Sequence, residues 1–250
     1  MKNENKLPFL GHLEELRSRL VASAIAVGIG FAICYIFAEQ LFLILASPLT
    51  NVMPEGDFLI FTSLPEMFFT YLKVSFVSGF LLASPVVFYE MWMFIAPGLY
   101  RNEKKLVIPF VTISTLLFVG GSLFAYFIVF PFGFKFFLGF SSDFVKAFPS
   151  VKQYFSFSIK LLFAFGLVFE MPVVIFFLTK MGLVTTAFLK KNRKYALLLI
   201  FVVSAILTPP DVITQCMMAV PLLTLYEVGI LVSRFARRAK TDEDEDEETS

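Results

Sequence analysis

Long apolar segments separated by charged connections constrain this chain more than any other feature. Six such segments are present, at 20–37, 67–96, 106–130, 154–181, 195–207 and 212–232. A helix needs about 20 apolar residues to cross a bilayer, and a lipid-exposed segment must satisfy its own backbone hydrogen bonds. The pattern therefore predicts an all-α integral membrane protein with six transmembrane helices.

The composition supports this class and argues against several others. Hydrophobic residues make up 58% of the chain and charged residues 16%, whereas soluble domains contain about 45–50% apolar and about 25% charged residues. His12 is the single histidine, and both cysteines, Cys34 and Cys216, lie in apolar segments. Neither a phosphate-binding loop nor a hydrolase or zinc-protease motif is present. We expect no enzymatic activity, no metal, no cofactor and no nucleic-acid partner.

The distribution of lysine and arginine predicts the orientation. If both ends lie on one side of the membrane, that side receives sixteen of the 21 basic residues. Cytoplasmic connections carry the excess of positive charge, so both termini are expected in the cytoplasm. The short leader lacks the character of a transit peptide, which favours a bacterial inner membrane over a plastid.

Prolines and unequal segment lengths predict the shape of the membrane domain. Pro85, Pro109, Pro172 and Pro221 interrupt the apolar segments, and each removes a helix hydrogen bond and favours a kink. The fifth segment is short and forms a hairpin with the sixth. We therefore expect a curved, single-domain bundle of kinked and tilted helices.

The chain also divides by composition. Residues 1–19 form a cytoplasmic amphipathic segment, residues 20–233 the membrane domain, and residues 234–250 a disordered, charged tail that ends in the acidic run 242–248. Two long connections, 38–66 and 131–153, lie on the outer side. The second is rich in phenylalanine, which is typical of an amphipathic segment lying in the membrane interface.

Glu170 lies at the midpoint of the apolar stretch 161–179. A carboxylate at that depth costs about 2.5–3.5 kcal/mol even on lenient insertion scales. It is either a functional group or a structural one that hydrogen-bonds to another helix. Thr208 and Gln215 are further polar residues at depth, where hydrogen bonds between helices average about 0.6 kcal/mol.

The acids of the predicted cytoplasmic face also have two interpretations. Glu15 and Arg19 are spaced as an i,i+4 ion pair on an amphipathic lead-in helix, which stabilises it by about 0.2–0.5 kcal/mol. Alternatively, an acid such as Glu15 on a basic face attracts a cationic ligand, and a carboxylate can bind an arginine fork in bidentate fashion. Taken alone, Glu103 in the loop 94–105 is a solvated charge at a helix start, and Phe94 an interface aromatic.

Five motifs in order resemble the TatC family, the multi-spanning subunit of the twin-arginine protein translocase. They are FLGHLEELRSRL, WMFIAPGLYRNEKK, FAYFIVFPFGF, FGLVFEMPV and LTPPDVITQ. The resemblance extends from about Pro8 to Arg234. It implies a receptor and scaffold that binds signal peptides with paired arginines, assembles with single-span TatA- and TatB-type partners, and exports folded proteins with the proton-motive force.

The resemblance also implies roles for individual residues. Signal-peptide binding is implied for Glu15, Arg17, Phe94 and Glu103. Docking of partner helices is implied for Glu170, Thr208 and Gln215. Pro48 and Asp211 match outer-loop positions at which the family is sensitive. A larger complex is also expected, in which the chain forms a homo-oligomer.

Two rival hypotheses stand beside this one. A proton-coupled secondary transporter of a small solute would use Glu170 as its cation site, but it predicts an internal repeat that the sequence lacks. An intramembrane enzyme would need a nucleophile and base at similar depth, whereas serines such as Ser114 and Ser204 are expected to bond to their own helix backbone.

Overall fold

The computed structural model describes residues 6–54, 56–95, 107–141, 147–208 and 211–248, with side chains described from 11 to 236 within these ranges. Helices account for most of the described chain. They are α1 (Lys6–Ile36), α2 (Ala38–Thr50), α3 (Glu66–Ile95), α4 (Val107–Phe124), α5 (Phe130–Leu138), α6 (Val151–Phe169), α7 (Met171–Lys180), α8 (Thr186–Lys191), α9 (Arg193–Leu207) and α10 (Val212–Glu248). An isolated β-bridge joins Ile60 and Ser150.

Five helical stretches in the described ranges are long and apolar enough to cross a membrane. They are Gly11–Ile36, Glu66–Ile95, Val107–Leu138, Val151–Lys180 and Val212–Ala236. The fifth predicted segment corresponds to α9, which has 15 residues and is shorter than the usual span of about 20. The all-α membrane class is confirmed. Six crossings, cytoplasmic termini and the three domain boundaries stay predictions.

The third apolar helix extends beyond its predicted end at Phe130. A π-helical turn, Ala125–Val129, joins α4 to α5, and helix continues to Leu138. In this turn the Phe130 N–H bonds to the Ala125 carbonyl, directly before Pro131. The wider turn accommodates a proline that cannot donate an N–H. The first eight residues of the predicted outer connection, 131–138, are therefore helical.

The fourth apolar segment is broken where the sequence places its acid and its proline. Helix α6 ends at Phe169 and α7 begins at Met171, with Glu170 between them. Pro172 lies in the first turn of α7, a position that tolerates proline because its N–H would lack a helical acceptor. By contrast, Pro85 and Pro221 lie inside α3 and α10, which continue through them.

The chain divides into two compact units. Unit 1 comprises Met1–Leu116 and Ser142–Ile159, and in it α1 and α2 both pack on α3. Helices α1 and α3 touch at two glycines: a Cβ on Gly30 would lie 2.5 Å from the Gly79 carbonyl oxygen, and one on Gly79 would lie 2.4 Å from the Phe31 nitrogen. The two backbones could not come this close with side chains between them.

Unit 2 comprises Leu117–Ser141 and Lys160–Ser250. Ser122 on α4 donates a hydrogen bond to the Leu162 carbonyl on α6, at 3.2 Å. Helix α10 packs against α7, α8 and α9. Its Gly229 lies against Ile175 of α7, since an added Cβ would be 2.4 Å from the Ile175 Cδ1. The short hairpin expected between the fifth and sixth segments is present as α9 and α10.

Candidate functional site

Two helix faces meet near the N-terminal part of α1 and the C-terminal end of α3. On α1, His12, Glu15 and Arg19 are spaced three and four residues apart, so they share one face. On α3, Glu90 and Phe94 are spaced four apart and share another. We call these five residues the α1–α3 surface.

One guanidinium joins the two helices at this surface. The Arg19 Nη1 lies 2.8 Å from the Glu90 Oε2, and the Arg19 Nη2 lies 3.6 Å from the Glu15 Oε1. The side chains of Arg19, Glu15 and Glu90 are 28%, 34% and 14% exposed. Different nitrogens of one guanidinium therefore face two carboxylates, and the more buried carboxylate makes the shorter contact.

An aromatic contact closes the surface at the end of α3. The rings of His12 and Phe94 are stacked, with centroids 4.4 Å apart and planes inclined by 15°. Phe94 is half-buried as a result, while His12 stays exposed. The stack and the ion pair together hold residues 12–19 of α1 against residues 90–94 of α3.

The residues predicted for signal-peptide binding divide into three groups in the structure. Glu15 and Phe94 lie on the α1–α3 surface, each in contact with a residue of this surface. Arg17 is exposed, and its offset of two residues from Glu15 and from Arg19 places it on a different face of α1. Glu103 lies outside the described residues.

Sequence reasoning missed Glu90 and assigned Arg19 only a local partner. Glu90 lies 71 residues from Arg19 along the chain, so no local spacing connects them. The available signal was an acid near one end of an apolar segment, where a charge requires a partner. The basic residues near the end of another segment were the candidates for that partner.

The predicted docking residues lie in unit 2. Glu170 is buried, with 7% of its surface exposed, at the break between α6 and α7. Thr208 is buried at the end of α9 and its Oγ1 donates to the Ser204 carbonyl at 2.8 Å. Gln215 on α10 donates from Nε2 to the Phe201 carbonyl on α9 at 3.0 Å. Gln215 therefore has a structural role in the α9–α10 hairpin.

Of the two residues predicted for outer-loop function, one lies inside a helix and the other caps a helix. Asp211 precedes α10 and caps it: Oδ1 accepts the Thr214 N–H at 2.7 Å, and Oδ2 accepts the Thr214 hydroxyl. Pro48 is buried inside α2. Across the described part of the chain, no three His, Cys, Asp or Glu side chains lie close enough together to hold a metal ion.

Long apolar helices, a buried acid at a helix break and a charged surface between two helix ends define a multi-span, all-α integral membrane protein. The family model described as Sec-independent protein translocase protein (TatC) matches residues 11–221. The Desulforapulum autotrophicum protein of that name is 58% identical over 250 residues, which cover 100% of this chain and 93% of the relative. The Escherichia coli protein is 40% identical, with 94% and 91% covered.

The fold agrees with solved structures of the same family. A crystal structure of the twin arginine translocase receptor TatC superposes with a TM-score of 0.80 at 46% identity. It covers 90% of this chain and 99% of the matched chain. The chain belongs to the TatC family and is therefore a component of a Sec-independent protein translocase.

Proposed function

We propose that this chain is the core receptor and scaffold of a twin-arginine translocase. It binds signal peptides with paired arginines at its cytoplasmic face and assembles with single-span TatA- and TatB-type proteins. The complex, in which the chain forms a homo-oligomer, exports folded proteins across the bacterial inner membrane with the proton-motive force. Both termini lie in the cytoplasm.

One observation carries the receptor role: Glu15 and Phe94 lie on one surface of two packed helices. The resemblance assigns both residues to signal-peptide binding, although they are far apart in sequence. Their shared surface contains two carboxylates, the Arg19 guanidinium between them, and the stacked rings of His12 and Phe94. Carboxylates bind the planar fork of arginine in bidentate fashion, and guanidinium groups stack on aromatic faces. Glu103 and Arg17 belong to the same proposed site.

The surrounding charge supports selectivity. The cytoplasmic face is basic, so it repels cationic peptides except where acids such as Glu15 lie. Lysine is a poor substitute for arginine at such a site because an ammonium is a point charge without a fork. Selectivity for paired arginines follows because the acids attract a guanidinium locally while the basic residues around them repel other cationic peptides.

Partner helices are proposed to dock on unit 2. Glu170, Thr208 and Gln215 supply the polar groups, and α9, which ends directly before Thr208, supplies exposed apolar side chains. Leu198, Leu199 and Ile206 of α9 are 64%, 63% and 78% exposed. A single-span helix could cover these side chains and hydrogen-bond within the bilayer, where such bonds contribute about 0.6 kcal/mol on average. Pro48, which is buried in α2, and Asp211, which caps α10, are proposed as the outer-loop residues that this function needs.

The test is binding of a synthetic leader peptide to the purified protein in lipid nanodiscs. The peptide with two adjacent arginines should bind, and the version with two lysines should bind at least about tenfold more weakly, as expected for one lost charge-assisted contact. Glu15→Gln should weaken binding of the arginine peptide. Glu39→Gln, at an exposed acid of α2, is the control. Equal affinity for both peptides would contradict the receptor role.

A further inference from the structure

The Arg19 guanidinium occupies a position that suits an arginine from another chain. It lies between Glu15 and Glu90, with contacts of 3.6 Å and 2.8 Å from two different nitrogens. This is the arrangement that a carboxylate pair offers to a guanidinium fork. The site is therefore complementary to a guanidinium, and it is filled by one that belongs to the chain itself.

We propose that Arg19 occupies, in the free protein, the position that a signal-peptide arginine takes on binding. When Arg19 moves away, Glu90 becomes available and binds the peptide arginine. The proposal rests on the proposed receptor function and adds to it a carboxylate and a competing side chain. Neither residue belongs to the set that the resemblance assigned to signal-peptide binding. The chemical class of the ligand is a peptide with an accessible arginine side chain.

The partial burial of Glu90 explains why another cation must replace Arg19 when Arg19 leaves. Its side chain is 14% exposed and lies in a helix apolar enough to span the membrane. A buried carboxylate that loses its cation is strongly destabilised. When Arg19 leaves, an incoming guanidinium must therefore take its place. Arg19 itself can leave at lower cost, because a long side chain can extend its charged end toward water.

The charge at the surface favours binding of one further cation. Glu15 and Glu90 together carry two negative charges and Arg19 carries one positive charge, which leaves this group of three with a net negative charge. A second guanidinium can thus approach before the first is displaced. Paired arginines provide one group for exchange at Glu90 and another for Glu15.

The rival explanation is that Arg19 and Glu90 only hold α1 against α3. The two explanations predict opposite effects of an Arg19 substitution on peptide affinity. If Arg19 competes, a weaker competitor should tighten peptide binding. If Arg19 is solely structural, the same substitution should leave peptide binding unchanged or weaken it. Arg19→Lys is suited to this comparison because it keeps the positive charge beside Glu90 and removes the fork.

The experiment measures the affinity of the two-arginine leader peptide for nanodisc-embedded variants. We expect Arg19→Lys to bind roughly fivefold more tightly than the unmodified chain and Glu90→Gln about tenfold more weakly, the effect of one charged hydrogen bond. Glu90→Asp should recover part of the loss. Glu227→Gln is the matched control, since Glu227 pairs with Arg193 at 2.6 Å in unit 2 and should leave affinity unchanged.

The outcomes separate this inference from the proposed function. Binding by the unmodified chain, with unchanged or weaker binding by Arg19→Lys, would overturn the competition by Arg19. Unchanged binding by a Glu90→Gln variant that melts at the temperature of the unmodified chain would overturn the role of Glu90. If the unmodified chain binds no two-arginine peptide, the receptor function fails first and this inference fails with it.

Discussion

The Glu66 carboxylate accepts the backbone N–H of Lys152 at 2.7 Å, which joins the first turn of α3 to the first turn of α6. Its Oε1 also accepts the Ser150 hydroxyl at 3.1 Å, while Oε2 accepts the Thr62 N–H at 2.8 Å and the Ser63 N–H at 3.3 Å. The residue is 4% exposed. One buried side chain therefore holds two separate connections of unit 1.

Replacing Glu66 by alanine should destabilise the protein markedly. Each hydrogen bond to a charged group contributes about 1.5–3 kcal/mol, and the donors would lose their acceptor. We expect a loss of at least about 3 kcal/mol for Glu66→Ala and about half of that for Glu66→Gln, whose amide keeps one acceptor oxygen. Thermal unfolding in detergent measures both values.

A matched control is available on a neighbouring helix. Glu39 also lies in a first turn, that of α2, and is exposed. Glu39→Ala should change stability by no more than about 0.5 kcal/mol, the usual range for a surface substitution. A similar loss at both positions would show that charge near a helix start, and not the contacts of Glu66, is responsible.

Glu66 also illustrates what could be predicted from the sequence and what could not. The long helices were predicted because their apolar runs are local and long. The acceptor role of Glu66 was not, because Ser150 and Lys152 lie 84 and 86 residues away. The pairing of Arg19 with Glu90 escaped prediction for the same reason. Contacts between distant residues depend on packing, which a local pattern does not encode.

The sequence was more informative about helix interruptions, because a single proline is enough to disturb the backbone hydrogen bonds. The sequence placed Glu170 and Pro172 inside an apolar run, and the helix breaks between α6 and α7 at that point. Pro131 also lacks a backbone N–H, but the helix does not break there, since the π-helical turn before it lets the helix continue. A proline in an apolar run therefore predicts that the regular α-helix is interrupted. Whether the helix breaks or continues through a π-helical turn depends on the residues before the proline.

Close contact between α1 and α3 should depend on Gly79. A Cβ there would lie 2.4 Å from the Phe31 nitrogen and 2.7 Å from the Gly30 carbonyl carbon, both of which are backbone atoms. Gly79→Ala should therefore separate the helices and cost about 1–3 kcal/mol, the usual range for overpacking. Since the α1–α3 surface is formed by the same helices, affinity for the two-arginine peptide should also fall.

Gly28→Ala is the control for this substitution. An added Cβ at Gly28 meets no atom within 4 Å, so it should be neutral or slightly stabilising in the helix. Thermal unfolding and peptide binding are measured for both variants. If Gly28→Ala and Gly79→Ala behave alike, backbone entropy and not helix contact explains the effect.

Asp211 should stabilise the start of α10 as an N-cap. Its carboxylate accepts both the backbone N–H and the hydroxyl of Thr214. Asp211→Ala should cost about 1 kcal/mol, whereas Asp211→Asn should cost far less because asparagine caps about as well. Amide hydrogen exchange in the first turn of α10 measures the effect. Equal exchange rates in Asp211→Ala and Asp211→Asn would argue that the capping hydrogen bonds of Asp211 do not stabilise α10.

Glu170 should affect partner assembly more than peptide binding. Glu170 lies in unit 2, at the break between α6 and α7. We expect its carboxyl group to form a hydrogen bond with a partner helix in the bilayer. Glu170→Gln keeps the size and one acceptor of the side chain, so the fold should persist. We expect cross-linking to single-span partners to fall severalfold while the two-arginine peptide binds as before. The converse, with peptide affinity lost and cross-linking retained, would place Glu170 at the recognition step instead.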